Sequence, residues 1–151
     1  SHARGASAVS RALLDTLMTA PYVARFGVRL EVKGTELTGV LPFDNDLVGN
    51  PLIPALHGGA VGAFLEIVAS GSLLLSQPLQ KLPKPIDVAI DYLRPARAQD
   101  VYARAIVARS GRRVANVRAE AWQGRTDAPV ATLHGHFLIT PESSDPAPVQ
   151  R

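Results

Sequence analysis

One apolar stretch organises the chain: Leu56-His57-Gly58-Gly59-Ala60-Val61-Gly62-Ala63-Phe64-Leu65-Glu66-Ile67-Val68-Ala69-Ser70. At helical spacing its apolar residues lie on nearly every side, and a helix without a polar face belongs inside a protein. We predict one long buried helix from about Gly58 to Ser76, which Pro78 ends. Glu66 lies in its middle, and a carboxylate among apolar side chains is costly unless it is paired, hydrogen-bonded or protonated. Glu66 is therefore the first candidate for a functional residue.

The composition indicates a single globular domain. The 151 residues are 46% hydrophobic and 19% charged, and the net charge of +3 comes from scattered Lys and Arg residues. We therefore predict no nucleic-acid partner. The absence of cysteine excludes disulfides and thiolate metal sites and favours a cytoplasmic location. A membrane span from Gly58 to Leu79 is disfavoured, because Glu66 near mid-bilayer would cost about 2.5–3.5 kcal/mol.

The segments around the long helix read as one short helix and six strands. Ser7 to Thr19 has apolar residues at helical spacing, and Pro21 is expected to end that helix. Runs of alternating apolar and polar residues predict strands at 26–32, 37–43, 86–93, 100–109, 113–123 and 130–139. We expect a tag remnant or disordered N-terminus over 1–6, one domain over 7–140 and a disordered tail over 141–151.

The order of these elements predicts an α+β fold. Two strands precede the buried helix and four strands in a meander follow it, so a curved antiparallel sheet must wrap around one long central helix. A single sheet cannot surround that helix, and a second copy of the chain is its natural cover.

Three motifs then connect the chain to a known family. They are His57-Gly58-Gly59 with an acidic residue nine positions after the His, Asp91-Tyr92-Leu93-Arg94-Pro95 after the helix, and Ser110-Gly111-Arg112-Arg113 at a hairpin. Together they resemble the hotdog fold and its phenylacetic-acid-type acyl-CoA thioesterases. Most of those relatives have Asp at the acidic position, and Glu66 is similar to the 4-hydroxybenzoyl-CoA thioesterase branch. The resemblance implies hydrolysis of an acyl-CoA without a metal or other cofactor, by a homodimer or a tetramer of two dimers.

The resemblance also assigns the reacting groups. Glu66 would be the nucleophile or general base, and Ser70, one turn later on the same face, would orient the carboxylate or the attacking water. Gly58 and Gly59 would offer backbone N–H groups to the developing oxyanion, and a glycine lets substrate approach without meeting a Cβ.

Two further residues belong to the same candidate catalytic set. His57 acts there either as a catalyst or as a residue that packs and orients the loop. Asn50 lies seven positions before His57, whereas the family often has an Asn or Gln about six residues before its His, and Pro51 and Pro54 reshape the loop between them.

A distance argument predicts that the site is shared between chains. Eight helical residues separate Gly58 from Glu66, a rise of about 12 Å. A base must come within about 3 Å of the reacting atoms or act through one water. Two antiparallel central helices would bring Gly58 of one chain near Glu66 of the other.

The CoA phosphates need cations near the mouth of the site. The candidates flank turns and strand ends: Arg94, Arg109, Ser110, Gly111, Arg112 and Arg113. His134 and His136 alternate on one strand face, but the sequence offers no convincing third metal ligand, so we predict no metal. Trp122 is interpreted as a packing residue.

Two other functions stay open at this point. One is an acyl-carrier dehydratase or hydratase on the same fold, although such enzymes need a catalytic His earlier in the loop before the helix. The other is a protein that binds or senses acyl-CoA without cleaving it.

Overall fold

The computed structural model of the protein describes residues 6–43 and 53–143, with the backbone alone for Tyr22 and residues 53–58. The helices are α1 (Ala8–Thr19), α2 (Pro21–Phe26) and α3 (Ile53–Ser76). The strands are β1 (Arg29–Lys33), β2 (Glu36–Leu41), β3 (Lys84–Tyr92), β4 (Val101–Ser110), β5 (Val114–Trp122) and β6 (Ala131–Leu138). The predicted α+β architecture, a sheet packed on one long central helix with a short N-terminal helix, is confirmed.

α3 is the core of the molecule. It contacts strands β2 to β6 and α1, and Phe64, Leu65 and Val68 are fully buried against them. Gly59–Ser76 is long and apolar enough to cross a membrane, yet 67% of it is buried inside the fold. It is therefore the core helix of a soluble protein.

The sheet is antiparallel and has the order β1-β2-β4-β5-β6-β3. The predicted meander holds for β4, β5 and β6 and is wrong for β3, which pairs with β6 at the edge of the sheet instead of with β4. β3 can lie there because Gly135 of β6 has no side chain. A Cβ at Gly135 would lie 2.7 Å from the Val88 Cα and would overlap the Asp87 carbonyl oxygen.

Two prolines lie in the first turns of helices whose starts differ from the prediction. α1 ends at Thr19, before Pro21, as predicted, but Pro21 also starts the unpredicted helix α2, so the strand predicted from Phe26 begins at Arg29. α3 begins at Ile53, five residues before the predicted start at Gly58. Proline suits a first helical turn, where its missing N–H needs no partner and its fixed φ is already helical.

α1 is fastened to the end of α3 by a buried serine. The Ser10 hydroxyl accepts from the Leu79 N–H at 2.6 Å and lies within donating distance of the Gln77 and Leu79 carbonyl oxygens. The Ser7 side chain caps the helix by accepting from the Ser10 N–H at 3.1 Å. α1 is thereby held in a fixed position over α3.

The described residues of both predicted terminal segments contact the rest of the structure. Ala6 packs against the core, while residues 1–5 lie outside the described residues. At the other end Pro141 bridges to Leu79, and the Glu142 N–H donates to the Pro78 carbonyl at 3.1 Å. The chain is therefore paired for two residues into the predicted tail 141–151.

Candidate functional site

Glu66 and Ser70 face one cavity. It has a volume of about 170 Å³ and is lined by Leu17, Ala63, Glu66, Ile67, Ser70, Leu82, Pro83 and Pro85. Both polar groups come from α3, one helical turn apart, and the remaining wall is apolar. The cavity thus places a carboxylate and a hydroxyl at one side of an apolar space.

Neither polar group is engaged elsewhere in the described ranges. No lysine, arginine or histidine of residues 6–43 and 59–143 lies within salt-bridge distance of Glu66. Ser70 is 8% exposed, and its hydroxyl has no hydrogen bond in the same part of the chain. A structural ion pair therefore does not explain Glu66 within that part of the chain. Among the described residues, neither group has a partner that would keep it from a bound molecule.

The first turns of α3 differ from the predicted helix start at Gly58, which would have left the Gly58 N–H free for an oxyanion. Because α3 begins at Ile53, Gly58 lies in the second turn. Its N–H is directed at the carbonyl four residues earlier, that of Pro54, instead of being one of the free groups of a helix start. Gly59 is exposed, and no described atom lies within 4 Å of where its Cβ would be. The backbone at Gly59 is therefore open to an approaching molecule.

Two members of the candidate catalytic set cannot be placed by side chain. The backbone of His57 is helical, and its side chain lies outside the described part of the structure. Asn50 lies outside the described residues altogether. Their roles remain predictions from the sequence.

Tyr92 lies close to the same face of α3, which the sequence did not indicate. A Cβ at Gly62, one turn before Glu66, would lie 2.7 Å from the Tyr92 Oη and 3.3 Å from the Ile90 Cδ1. Side chains on a helix extend back toward its N-terminus, so the Glu66 side chain leans toward this turn. The phenol hydroxyl thus contacts α3 one helical turn before Glu66.

The candidate CoA contacts divide between two ends of the sheet. The hairpin 109–113 lies at the end where Val114 pairs with Leu138 and Leu138 with Lys84. Arg94 follows Tyr92, which pairs with Ala131 at the other end. Eight residues of β3 separate these ends, about 26 Å at the strand rise of ~3.3 Å. One chain therefore does not bring Arg94 and the hairpin to the same place.

The hairpin itself is held to the body of the protein. The Gln77 side chain donates to the Ser110 hydroxyl at 2.8 Å. The Gly111 N–H donates to the Val114 carbonyl, and the Arg113 carbonyl accepts from the Ile139 N–H, both at 2.8 Å. Its arginine side chains are exposed, so they are available to an anion.

The two strand histidines and the tryptophan have partners on the outer face of the sheet. His134 Nε2 lies 3.7 Å from Asp91 Oδ2, and His136 Nδ1 lies 3.8 Å from Asp87 Oδ2. Trp122 stacks on Tyr102 with the ring centroids 6.2 Å apart. This contact agrees with the interpretation of Trp122 as a packing residue, which stays a prediction.

Sequence reasoning missed the apolar wall of the cavity. Leu17 belongs to α1, and Leu82, Pro83 and Pro85 follow α3. The helical spacing of Leu17 indicated a buried position on α1, but nothing in the sequence indicated which part of α3 it would meet.

Comparison with known proteins places these features in a family. The model for the acyl-CoA thioesterase N-terminal domain matches residues 50–141. The medium/long-chain acyl-CoA thioesterase YigI of Escherichia coli (strain K12) is 33% identical over 116 residues, which cover 66% of this chain and 74% of that relative.

Solved structures share the fold. A protein from Chromobacterium violaceum is 37% identical with a TM-score of 0.67, covering 86% of this chain and 90% of its own. A phenylacetic acid degradation-related protein from Ralstonia eutropha JMP134 has a TM-score of 0.67 at 23% identity, covering 86% of this chain and 98% of its own. At that identity the second likeness concerns the fold alone.

Proposed function

Because this chain belongs to the hotdog-fold acyl-CoA thioesterases, we propose that Glu66 is the carboxylate that cleaves the thioester. The enzyme is a thioester hydrolase, and the reaction converts an acyl-CoA and water to a free acid and CoA. The observation that carries the proposal is the cavity in which the Glu66 carboxylate, which has no ion pair with any described residue, and the Ser70 hydroxyl face the same apolar space.

The carboxylate can act in either of two ways. As a general base, Glu66 takes a proton from water, the water oxygen bonds to the acyl carbon, and the C–S bond breaks as the CoA thiolate takes a proton. As a nucleophile, it forms an anhydride with the acyl group and expels the thiolate, and water then cleaves the anhydride. In both cases the Ser70 hydroxyl is placed to hold the carboxylate or the water in position.

We place the oxyanion donor at Gly58, on the partner chain, with Gly59 beside it. The rise of about 12 Å from Gly58 to Glu66 along one helix is too long for one thioester. The helix start at Ile53 adds a requirement: the Gly58 N–H must leave or share the Pro54 carbonyl to reach the substrate. Two consecutive glycines assist this, because each weakens a helix interior by about 1 kcal/mol relative to alanine.

The dimer that would bring these groups together is best formed through β3. Among the described strands it pairs with β6 alone, and it exposes apolar side chains such as Ile86, which is 57% exposed. An open edge strand with apolar side chains is a template for pairing with another chain. Two β3 strands related by a two-fold axis would pair antiparallel, with their α3 helices also antiparallel. A tetramer of two such dimers remains the family expectation.

The same dimer would gather the CoA-binding cations. Antiparallel pairing reverses the second chain, so Arg94 of one protomer falls at the same end as the 109–113 hairpin of the other. They would be separated by three strand spacings, about 14 Å. We assign the CoA phosphates to this region.

The relative YigI carries the name of a medium/long-chain acyl-CoA thioesterase, and we propose the same broad class, aliphatic acyl-CoA, for this chain. We also propose that residues 7–140 form one catalytic domain and that the enzyme acts in the cytoplasm.

Thiol release from a panel of acyl-CoAs tests the role of Glu66. Glu66→Gln keeps the shape and removes the base, and we expect kcat to fall at least 100-fold with KM nearly unchanged, the pattern of a general acid–base or nucleophilic group. Ser70→Ala is the companion variant, and its kcat should fall less than that of Glu66→Gln. Unchanged thiol release in Glu66→Gln would refute the assignment. Acyl-CoA binding without thiol release by the wild-type protein would favour the binding or sensing function, and addition of water to an enoyl thioester would favour the hydratase.

A further inference from the structure

We propose that the cavity beside Glu66 receives the alkyl part of the acyl group and that Leu17 of α1, with Leu82, limits its length. This inference rests on Glu66 being the residue that cleaves the thioester. It adds the shape of the substrate and the residues that select it.

The lining of the cavity specifies an uncharged aliphatic group. Glu66 and Ser70 form its polar side, and Leu17, Ile67, Leu82 and Pro83 are among its apolar walls. No lysine or arginine of the described residues lines it. A carboxylate at the far end of a dicarboxylic acyl group would lose its hydration there without gaining a partner. The cavity therefore favours simple alkyl chains over acyl groups that end in a charge.

The volume sets a length. A cavity of roughly 150 Å³ holds a benzene molecule, which has six carbons. At about 170 Å³ the space beside Glu66 accepts an acyl chain of about six carbons. A longer chain must displace the wall or leave the cavity past Leu82, which is 39% exposed.

The wall opposite α3 is rigid enough to limit the length of the acyl chain. Leu17 is 7% exposed, and α1 is fastened to the segment after α3 through the buried Ser10 hydroxyl. Leu17 therefore cannot swing away without loosening the helix that carries it. Shortening its side chain should instead lengthen the space by the three carbons that the substitution removes.

The test is chain-length selectivity in thiol release. For the wild type we expect kcat/KM to be highest near hexanoyl-CoA. Each buried methylene is worth about 0.8 kcal/mol, a factor of about four, so Leu17→Ala should raise the octanoyl-to-hexanoyl ratio of kcat/KM by about 15-fold. Leu82→Ala should move the ratio the same way, and because Leu82 is partly exposed this variant keeps the core intact even where Leu17→Ala folds poorly.

Leu14→Ala is the matched control. Leu14 is on the same helix and packs toward Gly71, with its Cδ1 3.5 Å from the Gly71 Cβ position, outside the cavity. This variant should lower the melting temperature without moving the chain-length optimum.

Binding separates this inference from the proposed function. In Glu66→Ala, calorimetry with acyl-CoAs of four to twelve carbons measures how the cavity selects length without hydrolysis, and adding Leu17→Ala should shift the strongest binding to longer chains. Full thiol release by Glu66→Ala would refute the role of Glu66 and, with it, the basis for placing the acyl group in this cavity. Unshifted profiles for both Leu17→Ala and Leu82→Ala, in hydrolysis and in binding, would overturn the length selection alone.

Discussion

Gly62→Ala is the sharpest local perturbation that the structure offers near Glu66. The new Cβ would lie 2.7 Å from the Tyr92 Oη, closer than real Cβ atoms approach, and 3.3 Å from the Ile90 Cδ1. The hydroxyl would have to withdraw by about 0.7 Å to reach the ordinary contact distance of 3.4 Å. Because Glu66 leans over the same turn of α3, the substitution disturbs the site while leaving every proposed catalytic residue in place.

The energy of this contact follows from two opposing terms. Alanine is favoured over glycine in a helix interior by about 1 kcal/mol, and the crowded hydroxyl opposes that gain. In Tyr92→Phe the nearest ring atom is the Cζ, 3.9 Å from the Cβ position, which is an ordinary contact. The Ile90 contact at 3.3 Å is common to both backgrounds. Gly62→Ala should therefore be more favourable in the Tyr92→Phe protein than in the wild type, by about 0.5–1 kcal/mol.

A double-mutant cycle in urea measures this coupling. The cycle cancels any other interaction that Tyr92→Phe removes, provided that the two singles and the double unfold in one step. In the same proteins thiol release should fall about 10-fold for Gly62→Ala, since a 1 Å displacement in an active site can cost as much as ~100-fold. Additivity within about 0.3–0.5 kcal/mol would mean that Tyr92 does not press on Gly62, and the placement of the phenol beside Glu66 would be wrong.

Two further predictions concern the assembly and the edge of the sheet. Glu66→Ala and Gly58→Val should each be inactive alone. If each site combines residues of two chains, a mixed dimer of the two variants has roughly one intact site of two and should recover a quarter to a half of the wild-type rate per dimer. No recovery in isolated mixed dimers would contradict a shared site. Gly135→Ala should lower the free energy of unfolding by about 1–3 kcal/mol or more, because its Cβ would meet the Asp87 backbone and not a movable side chain, as measured in urea against Gly124→Ala, whose Cβ position has no atom within 4 Å.

Most elements could be predicted because the signal that defines them is local. The alternation in β5 and β6 and the apolar character of α3 depend on residues a few positions apart. Two differences from the prediction involve a proline: Pro21 was interpreted only as the end of a helix, and Pro54 as part of a loop. Pro21 and Pro54 each lie in the first turn of a helix, where proline is favoured. From the sequence alone, a proline fits the end of one element and the first turn of a helix equally well.

Only the part of the site that lies on α3 could be predicted from the sequence. Glu66 and Ser70 are four residues apart, so the helical period places them on one face, and both line the cavity. Leu17 reaches the same cavity from a separate helix, and Tyr92 reaches Gly62 from the last residue of β3. These contacts depend on how distant segments pack and on β3 pairing with β6, which no local period encodes.

The position of β3 also links the fold to the proposed dimer through two independent separations. Within one chain, about 12 Å separate Gly58 from Glu66 along α3, and about 26 Å separate Arg94 from the 109–113 hairpin along β3. Antiparallel pairing of two β3 edges would shorten both at once, because it reverses the helix and the sheet together. A dimer could also pair through the outer face of the sheet, where Ile106 is 69% exposed. That arrangement would place both sheets between the two α3 helices and would not bring Gly58 of one chain closer to Glu66 of the other. The edge strand β3, which the meander interpretation misplaced, is therefore the surface on which the proposed shared site depends.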